Sequence, residues 1–108
     1  MKISELDGYL LDYYVAKASG IEAKVKNDIC FTLIGGQWWP FSPSTQWTFG
    51  GPIIERERIE LYCETEHDGV WISHPYKGGP ASFGPTPLIA AMRAYCAPRL
   101  GEEVPDPE

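Results

Sequence analysis

Two histidines stand beside groups that could exchange a proton with them. His67 lies in Glu64-Thr65-Glu66-His67-Asp68-Gly69, where carboxylates flank an imidazole that could in principle hold a metal ion or move a proton. The spacing matches no ligand pattern, and Asp-Gly with polar flanks is what a hairpin turn itself demands. His74 follows Ser73, which suggests a nucleophile and its base. Neighbours on a strand face opposite ways, however, and no nucleophile elbow surrounds the serine. Cys30, Cys63 and Cys96 form no Cys-x-x-Cys pair, and three thiols cannot all be joined within one chain. They read as buried free thiols in a reducing cytoplasm, not as a disulfide framework or a zinc site. The residues therefore assign no catalytic group, no metal ligands and no cofactor.

Binding chemistry is better supplied. Arg56 belongs to the run Glu55-Arg56-Glu57-Arg58-Ile59-Glu60, whose two guanidinium groups could clamp a ligand or a partner. The plainer reading is a solvated surface, in which each exposed ion pair contributes at most about 0.5 kcal/mol. Trp38, Trp39, Trp47, Trp71, Tyr76 and Phe83 form the more informative set. Adjacent Trp38 and Trp39 must face opposite sides of a strand, so at least one points away from the main core. That ring is either covered by the Ser42 to Gly51 segment or exposed as an anchor for a partner or small ligand. The candidate binding residues are Trp38, Trp39, Trp47, Trp71, Tyr76 and Arg56.

The elements that position these residues can be read from local signals. Ser4 followed by Asp7 resembles a capping box, and Gly20 supplies a left-handed stop, which predicts a helix over Glu5 to Ser19. Cys30 to Ile34, Gly35-Gly36 and Gln37-Trp38-Trp39 predict a hairpin ended by Pro40 and Pro43. Ser44 to Trp47 suits a short helical turn that Gly50-Gly51-Pro52 halts, with Pro52 opening another short helix. Arg58 to Glu66 alternates like a half-buried strand, and Val70-Trp71-Ile72-Ser73 pairs back across Asp68-Gly69. Pro75 to Pro85 is expected to be an irregular Gly/Pro-rich loop. Thr86 as cap and Pro87 at the first helical position open a last helix, with Leu88, Ala91, Met92 and Tyr95 on one face, ending near Ala97.

A chain of 108 residues fits one domain. The expected class is α+β: one small domain over residues 1–101, its N-terminal and C-terminal helices packed on a short antiparallel sheet made of hairpins. Residues 102–108, acidic and Pro-containing, are expected to be a frayed tail. A net charge of −6 repels phosphate backbones and disfavours direct nucleic-acid binding. The start, with Glu5, Asp7 and Asp12, is unlike a signal peptide, and no apolar run approaches the ~20 residues of a membrane span. Cys30, Cys63 and Cys96 recur at a constant spacing, as do Trp38 with Trp71 and Gly51-Pro52 with Gly84-Pro85, but a solenoid needs about three copies.

Pro43-Ser44-Thr45-Gln46-Trp47, Gly51-Pro52-Ile53-Ile54-Glu55 and Thr86-Pro87-Leu88-Ile89-Ala90-Ala91-Met92-Arg93, in this order, resemble the NinX-type family of bacteriophage proteins. The resemblance covers roughly Leu6 to Pro105, with Gln46 standing where many relatives carry an acidic residue. It implies a phage or prophage accessory protein working in the bacterial cytoplasm, and it brings no catalytic residues. The reading that follows is a non-enzymatic module that binds a host or phage protein, compatible with a homo-oligomer, through an aromatic surface beside the Gly/Pro loops. The alternative is a small-molecule or nucleotide-binding module, although no phosphate loop with its lysine is present. A third is a small enzyme using His74 or His67. An exposed aromatic patch, a pocket of several hundred Å³ or converging polar groups would distinguish the three.

Overall fold

Gly20, with φ +73°, ends the first helix, α1 (Gly8–Ala18). The Ile21 N–H reaches the Ala16 carbonyl at 2.9 Å and the Gly20 N–H reaches Lys17 at 3.1 Å, a closure that satisfies two end carbonyls. The helix begins later than the sequence predicts. Ser4 sits in a separate 3-10 turn (Ile3–Glu5), and Asp7 takes the cap position without a side-chain bond. Extended backbone at Leu6 and Asp7 breaks the run between the turn and the helix. The computed structural model describes residues 1–66 and 69–107.

The first sheet has the order β1-β2-β3 (Ala23–Lys26, Ile29–Ile34, Gln37–Pro40), all antiparallel. Both connections are two-residue turns with positive φ throughout: Asn27 and Asp28 at +54° and +59°, Gly35 and Gly36 at +61° and +80°. Such turns match the natural twist of a hairpin. The Gly35-Gly36 hairpin is as predicted, whereas β1 was not, because Ala-Lys-Val-Lys carries little apolar signal. Cys30 and Thr32 are buried, and α1 packs on β1 and β2. In this register Pro40 directs its missing donor away from β2, which blunts the free edge of β3.

Helix α2 (Trp47–Glu57) is one continuous helix, so Gly50-Gly51-Pro52 does not divide it. Gly50 is a point of close approach: a Cβ there would lie 2.6 Å from both a Leu88 methyl and the Pro43 carbonyl oxygen. Packing at Gly50 and burial of Ile53 outweigh local penalties of about 3 kcal/mol for a helical proline and about 1 kcal/mol for each glycine. Arg58, at φ +53°, closes α2 in the left-handed conformation and so belongs to a helix end, not to a strand.

The second sheet therefore starts late, with β4 (Glu60–Cys63) pairing β5 (Trp71–His74), which pairs β6 (Ser82–Gly84). The third strand lies inside the segment expected to be irregular. Helix α3 (Pro87–Leu100) packs on β5, β6 and α1. A Cβ on Gly84 would stand 2.7 Å from the Ala90 nitrogen, so the backbones of β6 and α3 touch at this residue. The Thr86 hydroxyl accepts the Ile89 N–H at 3.1 Å, as the cap reading requires, and Leu88, Ala91, Met92 and Tyr95 are all buried. The helix runs past Pro98 to Leu100 and does not stop at Ala97.

The start of the segment expected to be frayed is docked. Val104 and Met1 exchange two backbone bonds of 2.8 and 2.9 Å, Ile3 donates to Glu102 at 2.9 Å, and the Tyr14 hydroxyl donates to the Pro105 carbonyl. Burial of Val104 at 7% exposure gives this segment its apolar anchor. The constant cysteine spacing does not mark one repeated unit: Cys30 is a buried residue of β2, Cys63 lies on an exposed strand end and Cys96 inside α3. The described residues form a single α+β domain of three α-helices and two three-stranded antiparallel sheets.

Candidate functional site

The two polar clusters that sequence reading raised stay apart or out of view. Ser73 is fully buried, while His74 is only half-buried and stacks on Tyr62, its Nε2 lying 3.2 Å from the tyrosine hydroxyl. Alternation along β5 thus separates the serine from its neighbour's imidazole. His67 and Asp68 lie outside the described residues. Among the described residues no group of three His, Cys, Asp or Glu side chains is placed to hold a metal ion.

The six candidate binding residues fall in three places. Trp38 and Trp39 stand on β3, 36% and 53% exposed, and Trp47 opens α2 at 54%. The Ser42 to Gly51 segment therefore does not cover Trp39, and of the two alternatives read from the sequence the exposed ring is the one found. Lys24 places its ammonium 4.2 Å from the centre of the Trp38 ring, leaving Trp39 and Trp47 as the barer pair. An edge-to-face contact between Phe41 and Phe49, centres 5.5 Å apart, holds the start of α2 against the chain leaving β3. Trp71 belongs elsewhere: it is half-buried on the second sheet, on the same face as Ser73 and Gly84.

Arg56 and Tyr76 meet in a hollow of about 660 Å³ between the end of α2, the turn after β5 and the last turns of α3. Here the structure adds residues that sequence reading did not single out. Tyr95 is almost wholly buried, and its hydroxyl lies 2.9 Å from Ser19 Oγ and 3.4 Å from Arg56 Nη2. Arg99 lies over the Tyr95 ring, 4.2 Å from its centre. Glu57 ties the two guanidinium groups together, one oxygen taking Arg56 Nε at 2.9 Å and the other taking Arg99 Nη2. Arg56 contacts hold Glu57 below the usual carboxylate range, with Arg99 adding to the effect. Arg58 stands 5.3 Å from the Tyr76 ring centre, and Lys77 completes the wall. A second hollow of about 530 Å³ shares Arg56, Glu57, Tyr95 and Arg99 with the first. The signal available in sequence was the Glu-Arg-Glu-Arg run, but nothing in it shows that Arg99 comes alongside.

The residues that carry the resemblance noted in the sequence have a different use: they take part in packing joints. The Ser44 N–H donates to buried Asp12 at 2.7 Å, which pins the loop before α2 to α1. Gly50 admits Leu88. Arg93 donates to the Leu6 carbonyl at 2.9 Å and to Phe83 at 2.7 Å, which clamps α3 to the N-terminal turn and to β6. The segments Pro43 to Trp47 and Thr86 to Arg93 thus meet at Gly50, the residue before Gly51.

No helix among the described residues is long and apolar enough to cross a membrane. Comparison with curated proteins finds no match. A family model described as "Bacteriophage P22, NinX" matches residues 2–99, nearly the whole folded chain. The chain belongs to this NinX family of phage proteins.

Proposed function

We propose that this phage accessory protein acts by binding, and that its contact with a host or phage protein is made by the exposed tryptophans on the two faces of the edge strand β3 and at the start of α2. The observation that carries the reading is the exposure of Trp38, Trp39 and Trp47, three of the chain's four tryptophans, within ten residues of sequence. On the adjacent strand exposed Ile29 lies on the sheet face of Trp38 and exposed Ile34 on the face of Trp39. Tryptophan is enriched among the few interface residues that dominate affinity, because one rigid ring buries a large area at little entropic cost. A protein gains nothing in stability from rings left in water, so an arrangement that leaves these three outside the core suits contact with another surface.

The test is capture of the tagged full chain from phage-infected cells, with quantitative mass spectrometry against Trp39→Ala and Trp47→Ala. A protein retained by the wild type and lost from both variants is the expected result. Equal retention by all three removes the tryptophan surface as the contact. The bacterial cytoplasm is the compartment in which such a partner is sought.

A further inference from the structure

We propose that the hollow between α2, the Pro75–Gly78 turn and α3 binds a mononucleotide, its phosphate held by Arg58 and Lys77 and its base laid on Tyr76. The first support is charge. Arg56, Arg58, Lys77 and Arg99 line this hollow, four of the nine Lys and Arg residues of a chain whose net charge is −6. Glu57 is the one carboxylate among the lining residues, so the wall carries about three net positive charges. A concave site of one sign focuses its field on an oppositely charged ligand.

The second support is the division of labour among the cations. Glu57 occupies Arg56 and Arg99, and both also contact Tyr95, which fixes them in place. Arg58 and Lys77 have no carboxylate within ion-pair distance among the described residues. Arg58 lies over the Tyr76 ring and donates to its hydroxyl at 3.4 Å, yet it is not neutralised, and a guanidinium and an ammonium on the wall of one hollow suit the several oxygens of a phosphate monoester. The third support is the ring. Tyr76 is 58% exposed at the rim, next in sequence to Lys77 and 5.3 Å from Arg58, so a base stacked on it keeps its phosphate within reach of both cations. The volume of about 660 Å³ lies within the range of small-molecule sites.

The full chain, isotope-labelled, is titrated by NMR with adenosine 5′-monophosphate, ribose 5-phosphate and adenosine separately at up to millimolar concentration. The expected result is saturable binding of the nucleotide, with shifts at Tyr76 and Lys77 and weakening as salt is raised. Ribose 5-phosphate is expected to bind more weakly and adenosine weakest. Arg58→Asn, chosen because asparagine tolerates the left-handed backbone, and Lys77→Ala should each weaken the nucleotide by about tenfold while their melting temperatures stay near wild type. Lys26→Ala, remote on the first sheet, should leave binding unchanged. Absence of saturation, or binding unchanged in both Arg58→Asn and Lys77→Ala, overturns the site. Equal affinity for ribose 5-phosphate overturns the base on Tyr76, and equal affinity for adenosine overturns the phosphate contacts.

Discussion

Asp12 is a buried carboxyl group that does not titrate in its ordinary range. Burial pushes its pKa from 3.8 up to about 6, against the opposing pull of the Ser44 N–H bond. Because the folded value is the higher one, the stabilising effect is fully present below pH 3.8 and is lost as pH rises through about 6. At pH 7 the buried carboxylate costs the fold on the order of 3 kcal/mol. Asp12→Asn keeps an oxygen for Ser44 and removes the charge. Denaturant unfolding of the two proteins across pH 4 to 7 should show the variant gaining on the wild type as pH rises, by up to about 3 kcal/mol. A constant difference across that range would show that Asp12 is not held protonated by the fold. The thiols give a second check at this scale. Burial pushes Cys30 and Cys96 up to about 12, whereas Cys63 is exposed, so the expectation of three buried thiols fails at Cys63. Alkylation of the native protein at neutral pH should label Cys63 alone, and labelling of Cys96 would mean that α3 opens.

Among the elements, two glycines carry the joints. Gly50→Ala gains about 1 kcal/mol of helix propensity but drives a methyl into the Pro43 carbonyl oxygen and Leu88, and overpacking costs about 1–3 kcal/mol. Gly84→Ala meets the α3 backbone with no such compensation, so it should be the more destabilising of the two in thermal melts. Thr86→Ala should lose about 1 kcal/mol, the ordinary value of a cap. Elements announced by their own residues were legible in the sequence: the Gly20 stop, the Gly35-Gly36 hairpin, the β4–β5 pairing and the Thr86-Pro87 helix start. Those decided by remote contacts were not. Gly50-Gly51-Pro52 reads locally as a break, and only Leu88, on another helix, shows that Gly50 is a contact. β6 lies among prolines and glycines and is identified by its pairing with β5. The N-terminal exchange at Val104 joins residues 103 positions apart, beyond any local signal.

At the scale of the whole molecule the candidate site was partly legible. Arg56 and Tyr76 were singled out for their types, and the fold does bring them to one hollow, but Tyr95 and Arg99 arrive there only through the packing of α3. Trp38 and Trp39 could be read as unable both to enter one core, yet that both rings and Trp47 stand exposed was visible only in the fold. The net charge of −6 concealed a local concentration of cations, because composition averages over faces that the fold separates. The tryptophans of β3 and α2 are proposed to serve contact and not the core. Thermal and denaturant unfolding of Trp39→Ala/Trp47→Ala beside the wild type tests this most directly. Surface rings predict a combined loss within about 1 kcal/mol. A loss of about 3–5 kcal/mol or more, as for a buried ring, would contradict the account and place these tryptophans in the core.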